Sequence, residues 1–173
     1  MIPILLLLLF CAPGAVYATD PALQYLFNGN DEYKTGNLDQ AIVDYTRAID
    51  INPNLAKAYD NRGVAYAKEG SMRRAIDDFT MAIADNPDDA EAYNNRGHAY
   101  AEQGNMAQAL FDYTHAIEHN AFYVKAYNNR GLIYYLLKKY DKAWEDVHTI
   151  KAVGGDVDPY FLQDLKKASG RDQ

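Results

Sequence analysis

The chain has 173 residues, enough for one domain or one run of small repeats with a sizeable buried core, and too few for two large independent domains. Its 17 basic and 24 acidic residues leave a formal charge of −7 with no clustered Lys and Arg of the kind phosphate contacts need, which argues against nucleic acid as a partner and against a polybasic membrane patch. Aromatic residues make up 13% of the chain, and Tyr occurs 15 times, so the sequence reads as packed rather than disordered.

Residues 1–18, MIPILLLLLFCAPGAVYA, form a separate regime: an apolar run from Ile2 to Cys11, then Pro13 and Gly14, then small residues. This is the pattern of a secretory signal peptide cut after Ala18, with Val16 at the minus-three position. The alternative is an uncleaved anchor, since the n-region lacks Lys and Arg; membrane contact is expected only through this segment. Cys11 is the sole cysteine, so a chain cut after Ala18 has no thiol for a disulfide or a metal site. The expected location is exported, either periplasmic or secreted.

From Ala22 onward one phrase returns: AYDNRG at 58–63, AYNNRG at 92–97 and AYNNRG at 126–131. Gly63, Gly97 and Gly131 are 34 residues apart, and one step back lies Gly29. Four copies therefore occupy 22–55, 56–89, 90–123 and 124–157. They share columns at Tyr25, Tyr59, Tyr93 and Tyr127; at Ala41, Ala75, Ala109 and Ala143; and at Tyr45, Phe79, Tyr113 and Val147.

Each copy shows helical spacing twice, as at Tyr59, Gly63 and Tyr66 and then at Ala75, Ile76, Phe79, Ala82 and Ile83. Gly36, Gly70 and Gly104 mark the turns, with Asn37, Ser71 and Asn105 after them as expected N-caps. Asn37 with Gln40 and Asn105 with Gln108 have capping-box spacing. The second helices are expected to stop before Asn52-Pro53 and Asn86-Pro87. In the fourth copy Lys138 replaces the hinge glycine and Gly154-Gly155 replaces the proline stop. In segment 158–173, Asp158 and Pro159 open a last helix to about Ala168.

With its 34-residue period and its pattern aromatic-x-x-x-Gly-x-x-Tyr, then Ala-x-x-x-aromatic, then Pro, the chain resembles the tetratricopeptide repeat family over residues 22–157. The resemblance implies an all-α fold: an α-solenoid of four helix-turn-helix repeats plus a C-terminal capping helix. It further implies a non-catalytic module or adaptor that holds a peptide or partner protein in a concave groove, with no cofactor and no small-molecule substrate. A homo-oligomer assembled through terminal repeats is the alternative of a different class.

The glycine columns allow close helix approach, and the tyrosines at 59, 93 and 127 plug the seams. Arg62, Arg96 and Arg130 precede their glycines while Asp44, Asp78, Asp112 and Asp146 keep an equally strict column, which suits a ladder of Arg–Asp pairs. HAIEH at 115–119 matches the H-x-x-E-H zinc-peptidase spacing. The repeat register places His115 and His119 at outward positions near a helix C-terminus, so no catalytic or metal role is assigned, and a metallohydrolase using His115, Glu118 and His119 stands only as a third alternative.

What remains for function is a second stripe on the first helices. It reads Leu23, Leu26, Phe27, Asn30, Tyr33 and Lys34, then Lys57, Asp60, Asn61, Val64, Ala67 and Lys68. It continues as Glu91, Asn94, Asn95, His98, Ala101 and Glu102, then Lys125, Asn128, Asn129, Leu132, Tyr135 and Leu136. Asn61, Asn95 and Asn129, with Asn94 and Asn128, form a file of amides able to grip a peptide backbone. The family's carboxylate clamp is matched only at Asn30 and Asn61, because Leu26, Glu91 and Asn95 stand where its cations belong. The groove residues expected to meet a partner are Asn30, Lys57, Asp60, Asn61, Glu91, Asn94, Asn95, His98, Lys125, Asn128, Asn129, Leu132 and Tyr135, between apolar ends.

Overall fold

The computed structural model describes residues 20–172, so the signal or anchor segment at 1–18, with Cys11, lies outside the described residues. Among these there are nine helices and no strand: α1 Pro21–Thr35, α2 Leu38–Ile51, α3 Ala56–Glu69, α4 Met72–Asp85, α5 Ala90–Glu102, α6 Met106–His119, α7 Val124–Leu136, α8 Tyr140–Ala152 and α9 Pro159–Ser169. No described helix is long and apolar enough to cross a membrane. Each helix packs on its chain neighbours. The odd helices α1, α3, α5 and α7 also touch in succession while the even ones spread, so the array curves with the odd helices on its inner side.

The tight turn inside each repeat follows from backbone sterics. Gly36, Gly70 and Gly104 sit at φ 89°, 89° and 76°, where an L side chain would be strained. Lys138 takes this place in the fourth repeat at φ 58°.

The expected N-cap bonds are corrected by the structure. Asn37, Ser71 and Asn105 occupy N-cap positions but accept nothing from their helices. Their ψ angles of 68°, 59° and 68° fall short of the 94–121° found at the caps that do bond, which swings the first helical N–H groups away from the side chains. Asn37 accordingly donates to Glu32 Oε2 at 2.7 Å, and Gln40 donates to Asp44 at 3.2 Å instead of closing a capping box. Asp20, Asp89 and Asp158, at ψ 119°, 94° and 121°, do cap α1, α5 and α9.

Packing explains the glycine column inside the helices. A Cβ built on Gly63 would lie 2.8 Å from the Phe79 ring, and one on Gly97 2.9 Å from Tyr113. Gly29 and Tyr45 repeat the relation at 2.7 Å. The fourth repeat has only Val147 in the ring column, and the missing ring is supplied from α9: Phe161, buried, lies 3.0 Å from where a Gly131 Cβ would be. Trp144 and Leu165 complete this terminal core, and the Trp144 indole N–H donates to Ser169 Oγ at 3.0 Å. The core is thus a file of small clusters along the array.

Candidate functional site

An internal staple holds the inner surface in place. The Arg62 guanidinium donates twice to Asp78, at 2.7 and 2.8 Å, and once to Thr46 Oγ1 of the preceding repeat at 3.0 Å. The Thr46 hydroxyl in turn donates to Ile42 O at 2.7 Å. Arg96 joins Asp112 and Thr80, and Arg130 joins Asp146 and Thr114, in the same way. Each arginine also lies over two rings or one: Tyr59 and Tyr66, Tyr93, and Tyr127 and Tyr134. Burial pulls the three guanidinium groups down, but the aspartates more than offset it and leave them above their ordinary range. Asp146 is raised by its burial against the opposing pull of Arg130.

On this frame the inner stripe divides into groups that face outward and groups that do not. Leu26, Asp60 and Asn94 are corrected from exposed to buried, at 6%, 2% and 1% exposure. They sit at repeat position five, which points between adjacent odd helices. Asn128 is also removed from the open surface: its amide donates to Asp156 O and its Oδ1 accepts from Asp158 N, both at the base of α9. Tyr135 packs against the same terminal core, while Leu132 stays 40% exposed.

The amide file commits part of its capacity to the scaffold. Asn61 donates to Asn30 Oδ1 at 2.6 Å, Asn95 to Asp60 Oδ1 at 3.3 Å, and Asn129 to Asn94 Oδ1 at 2.9 Å. Each leaves its own carbonyl oxygen without a donor among the described residues. Lys57 binds Asp60 at 2.8 Å with Glu91 at 3.7 Å, and these contacts raise the ammonium above its ordinary range against the lowering effect of burial. His98 and Lys125 are exposed.

Two recesses open on this face. One, of about 290 Å³, is bordered by Asn30, Tyr33, Lys34, Tyr45, Asn61 and Val64. The other, of about 210 Å³, is bordered by Val64, Ala67, Phe79, Asn94, Asn95, His98 and Lys125. Tyr45 and Phe79 come from even helices and escaped the sequence reading, which took the face from odd helices alone. The signal was present: a ring opposite a glycine meets no side chain, so its tip reaches through to the inner surface. The Tyr45 hydroxyl there donates to Asn30 Oδ1 at 3.0 Å, and burial, then Tyr33, pushes its pKa up to about 12.

The HAIEH histidines lie on α6 and cover Tyr93. His119 stacks on its ring at a centroid distance of 5.4 Å and 13°, and His115 lies 5.4 Å away at 30°. His115 Nδ1 contacts Glu118 at 2.9 Å, and His119 Nδ1 lies 3.4 Å from Asp88. The equivalent seam ring of the first repeat, Tyr25, is covered by Arg47 at 5.4 Å. Among the described residues no three His, Cys, Asp or Glu side chains are grouped to hold a metal ion.

Comparison with known proteins gives this geometry its relatives. The first tetratricopeptide domain of Spaghetti (RPAP3), solved bound to the HSP90 peptide SRMEEVD, is 30% identical, with 68% of this chain and 94% of that one aligned at a TM-score of 0.67. The Arabidopsis OM64 tetratricopeptide domain is 26% identical over 65% of this chain and 93% of its own, at 0.64. The MamA protein is 23% identical over 88% and 85%, at 0.76, a likeness of fold. Family models described as TPR repeat match residues 29–70 and 67–104, and models described as tetratricopeptide repeat match 90–123 and 124–146. With matches covering most of a chain built from these stapled helix pairs, the protein belongs to the tetratricopeptide repeat family.

Proposed function

We propose that the chain is a non-catalytic protein-interaction module that holds a peptide, or an extended segment of a partner protein, along the inner face of its odd helices. The observation that carries this reading is the pair of adjoining recesses bordered by amide groups with unused hydrogen-bonding capacity. Such groups match a peptide backbone, which offers one donor and one acceptor per residue. The 30% identical domain solved with a bound peptide supports the same reading. Residues of the expected groove that fit it are Asn30, Lys57, Asn61, Glu91, Asn95, His98, Lys125, Asn129 and Leu132. Asp60 and Asn94 act from beneath. The composition of residues 1–18 supports an exported location for this binding.

The test is a lysine map. Peptides selected on the full-length chain from a random library are cross-linked to it through amines, and the labelled lysines are identified. Lys57 and Lys125 should carry the label, and concentration on Lys142 or Lys151 would overturn the inner-face assignment. A second reading is favoured by Leu23 and Phe27, 38% and 58% exposed on the terminal helix α1: self-association through that end. Sedimentation of the chain over a range of concentrations separates the two.

A further inference from the structure

The two recesses differ in chemistry. In the first repeat the Tyr45 hydroxyl fills the space and is held by Asn30. In the second repeat both polar atoms are gone, because Phe79 stands in the column of Tyr45 and Val64 in that of Asn30. The result is an apolar floor of Phe79, Val64 and Ala67 under a recess of about 210 Å³.

Polar groups of a definite kind surround this floor. Asn94 is 1% exposed and its Oδ1 accepts from Asn129, yet its Nδ2 has no hydrogen-bond partner among the described residues. No fully occluded side-chain polar atom there lacks a partner, so this nitrogen faces the recess. A ligand carbonyl would supply the acceptor that this donor lacks. Asn95 is tied to Asp60 through its nitrogen and presents its carbonyl oxygen as an acceptor for a peptide N–H. Lys125 borders the recess with no carboxylate partner among the described residues, unlike Lys57. Across Val64 the recess adjoins its neighbour, so a bound chain runs on rather than ending.

We infer that this recess seats an aliphatic side chain of an extended, internal peptide segment, with Asn94 and Asn95 holding its backbone and an adjacent acidic side chain facing Lys125. The assignment rests on the partner-binding reading above and names the sequence class that this face selects.

A fully randomised library of C-terminally amidated peptides, which lack a terminal carboxylate, is equilibrated with the full-length chain, and retained peptides are sequenced. Leu, Ile, Val or Met should be enriched at one position beside Asp or Glu. Two variants borrow residues from sister repeats and so respect the fold: Phe79→Tyr with Val64→Asn transplants the Tyr45–Asn30 pair, and Asn94→Asp copies Asp60. Each should weaken the selected peptide by about tenfold or more, the scale of losing one buried aliphatic contact or one carbonyl bond. Lys125→Glu should abolish the acidic preference while keeping the aliphatic one. Unchanged affinity in Asn94→Asp and in the double variant, or retained peptides without an aliphatic position, overturns the recess and leaves inner-face binding standing. Retention of no peptide at all overturns both.

Discussion

Lys138 holds a backbone angle that the other three repeats give to glycine, at φ 58°. A left-handed conformation costs an ordinary L residue roughly 1–2 kcal/mol, and the turn's bonds, Lys138 N–H to Tyr135 O and Lys139 N–H to Tyr134 O, are backbone bonds that a glycine would make equally. Lys138→Gly should therefore stabilise the chain by about 1 kcal/mol after the entropy of the added glycine is subtracted, raising the melting midpoint. A lower midpoint would mean that the lysine side chain contributes more than its strain costs. The opposite sign is expected at Gly97, where a Cβ would sit 2.9 Å from the Tyr113 ring. Gly97→Leu should cost roughly 1–3 kcal/mol or more by overpacking, and an unchanged melt would contradict the close approach. Tyr45 gives a pH test. Its folded-state pKa of about 12 lies above the ordinary 10.0, so folding favours the protonated hydroxyl. That contribution is intact below about pH 10 and is lost as pH rises toward 12. Tyr45→Phe should lose stability at neutral pH through the missing bond to Asn30, and should decline less steeply than the parent between those values. Chemical denaturation at pH 8 and 11 compares the slopes directly, and parallel slopes would exclude the effect.

At the scale of whole elements, the terminal helix shows what repetition reveals and what it hides. Helix number, turn positions and the Asp158-Pro159 start were legible because each depends on local sterics and a repeated column. The staple was legible too, since Arg and Asp recur at fixed register. The orientation of the amides was not: whether Asn61 or Asn94 faces a ligand or a neighbour is decided by the spacing between odd helices, which no single repeat encodes. The use of Phe161 was equally hidden. It falls in the register of Tyr127, yet it fills the space left by Val147 against Gly131. Phe161→Ala should cost about 3–5 kcal/mol, as for other buried rings. Adding Val147→Phe to that variant should recover part of the loss, because it restores the ring that Tyr113 supplies to Gly97. Additive losses in this double-mutant cycle would show that the two positions do not share one space.

Across the whole molecule the two ends are closed unequally, and that asymmetry sets where the array opens. At the C-terminal end α9 adds Phe161 and Leu165 to the core, and Arg171 reaches Asp141 at 2.8 Å. At the N-terminal end the first repeat has no arginine in the staple column, where Asn28 stands instead. Asp44 is left with Gln40 at 3.2 Å and Arg47 at 3.7 Å, both from its own helix, so among the described residues no ion pair ties α1 to α2. Leu23 and Phe27 add exposed apolar surface on the same helix. Because repeat arrays are stabilised by interactions within and between neighbouring repeats, the end that lacks the arginine staple among the described residues opens first. Amide exchange should therefore be fastest, among the helices α1 to α8, in α1 and α2. Asn28→Arg should slow it by supplying the missing partner for Asp44, a gain of up to about 1 kcal/mol for a partly exposed pair. The measurement also bears on self-association. If copies meet through Leu23 and Phe27, protection of α1 will rise with protein concentration, whereas a monomer binding its partner on the inner face will show α1 exchange that is independent of concentration. Slow exchange in α1 at every dilution would contradict the unequal closure itself.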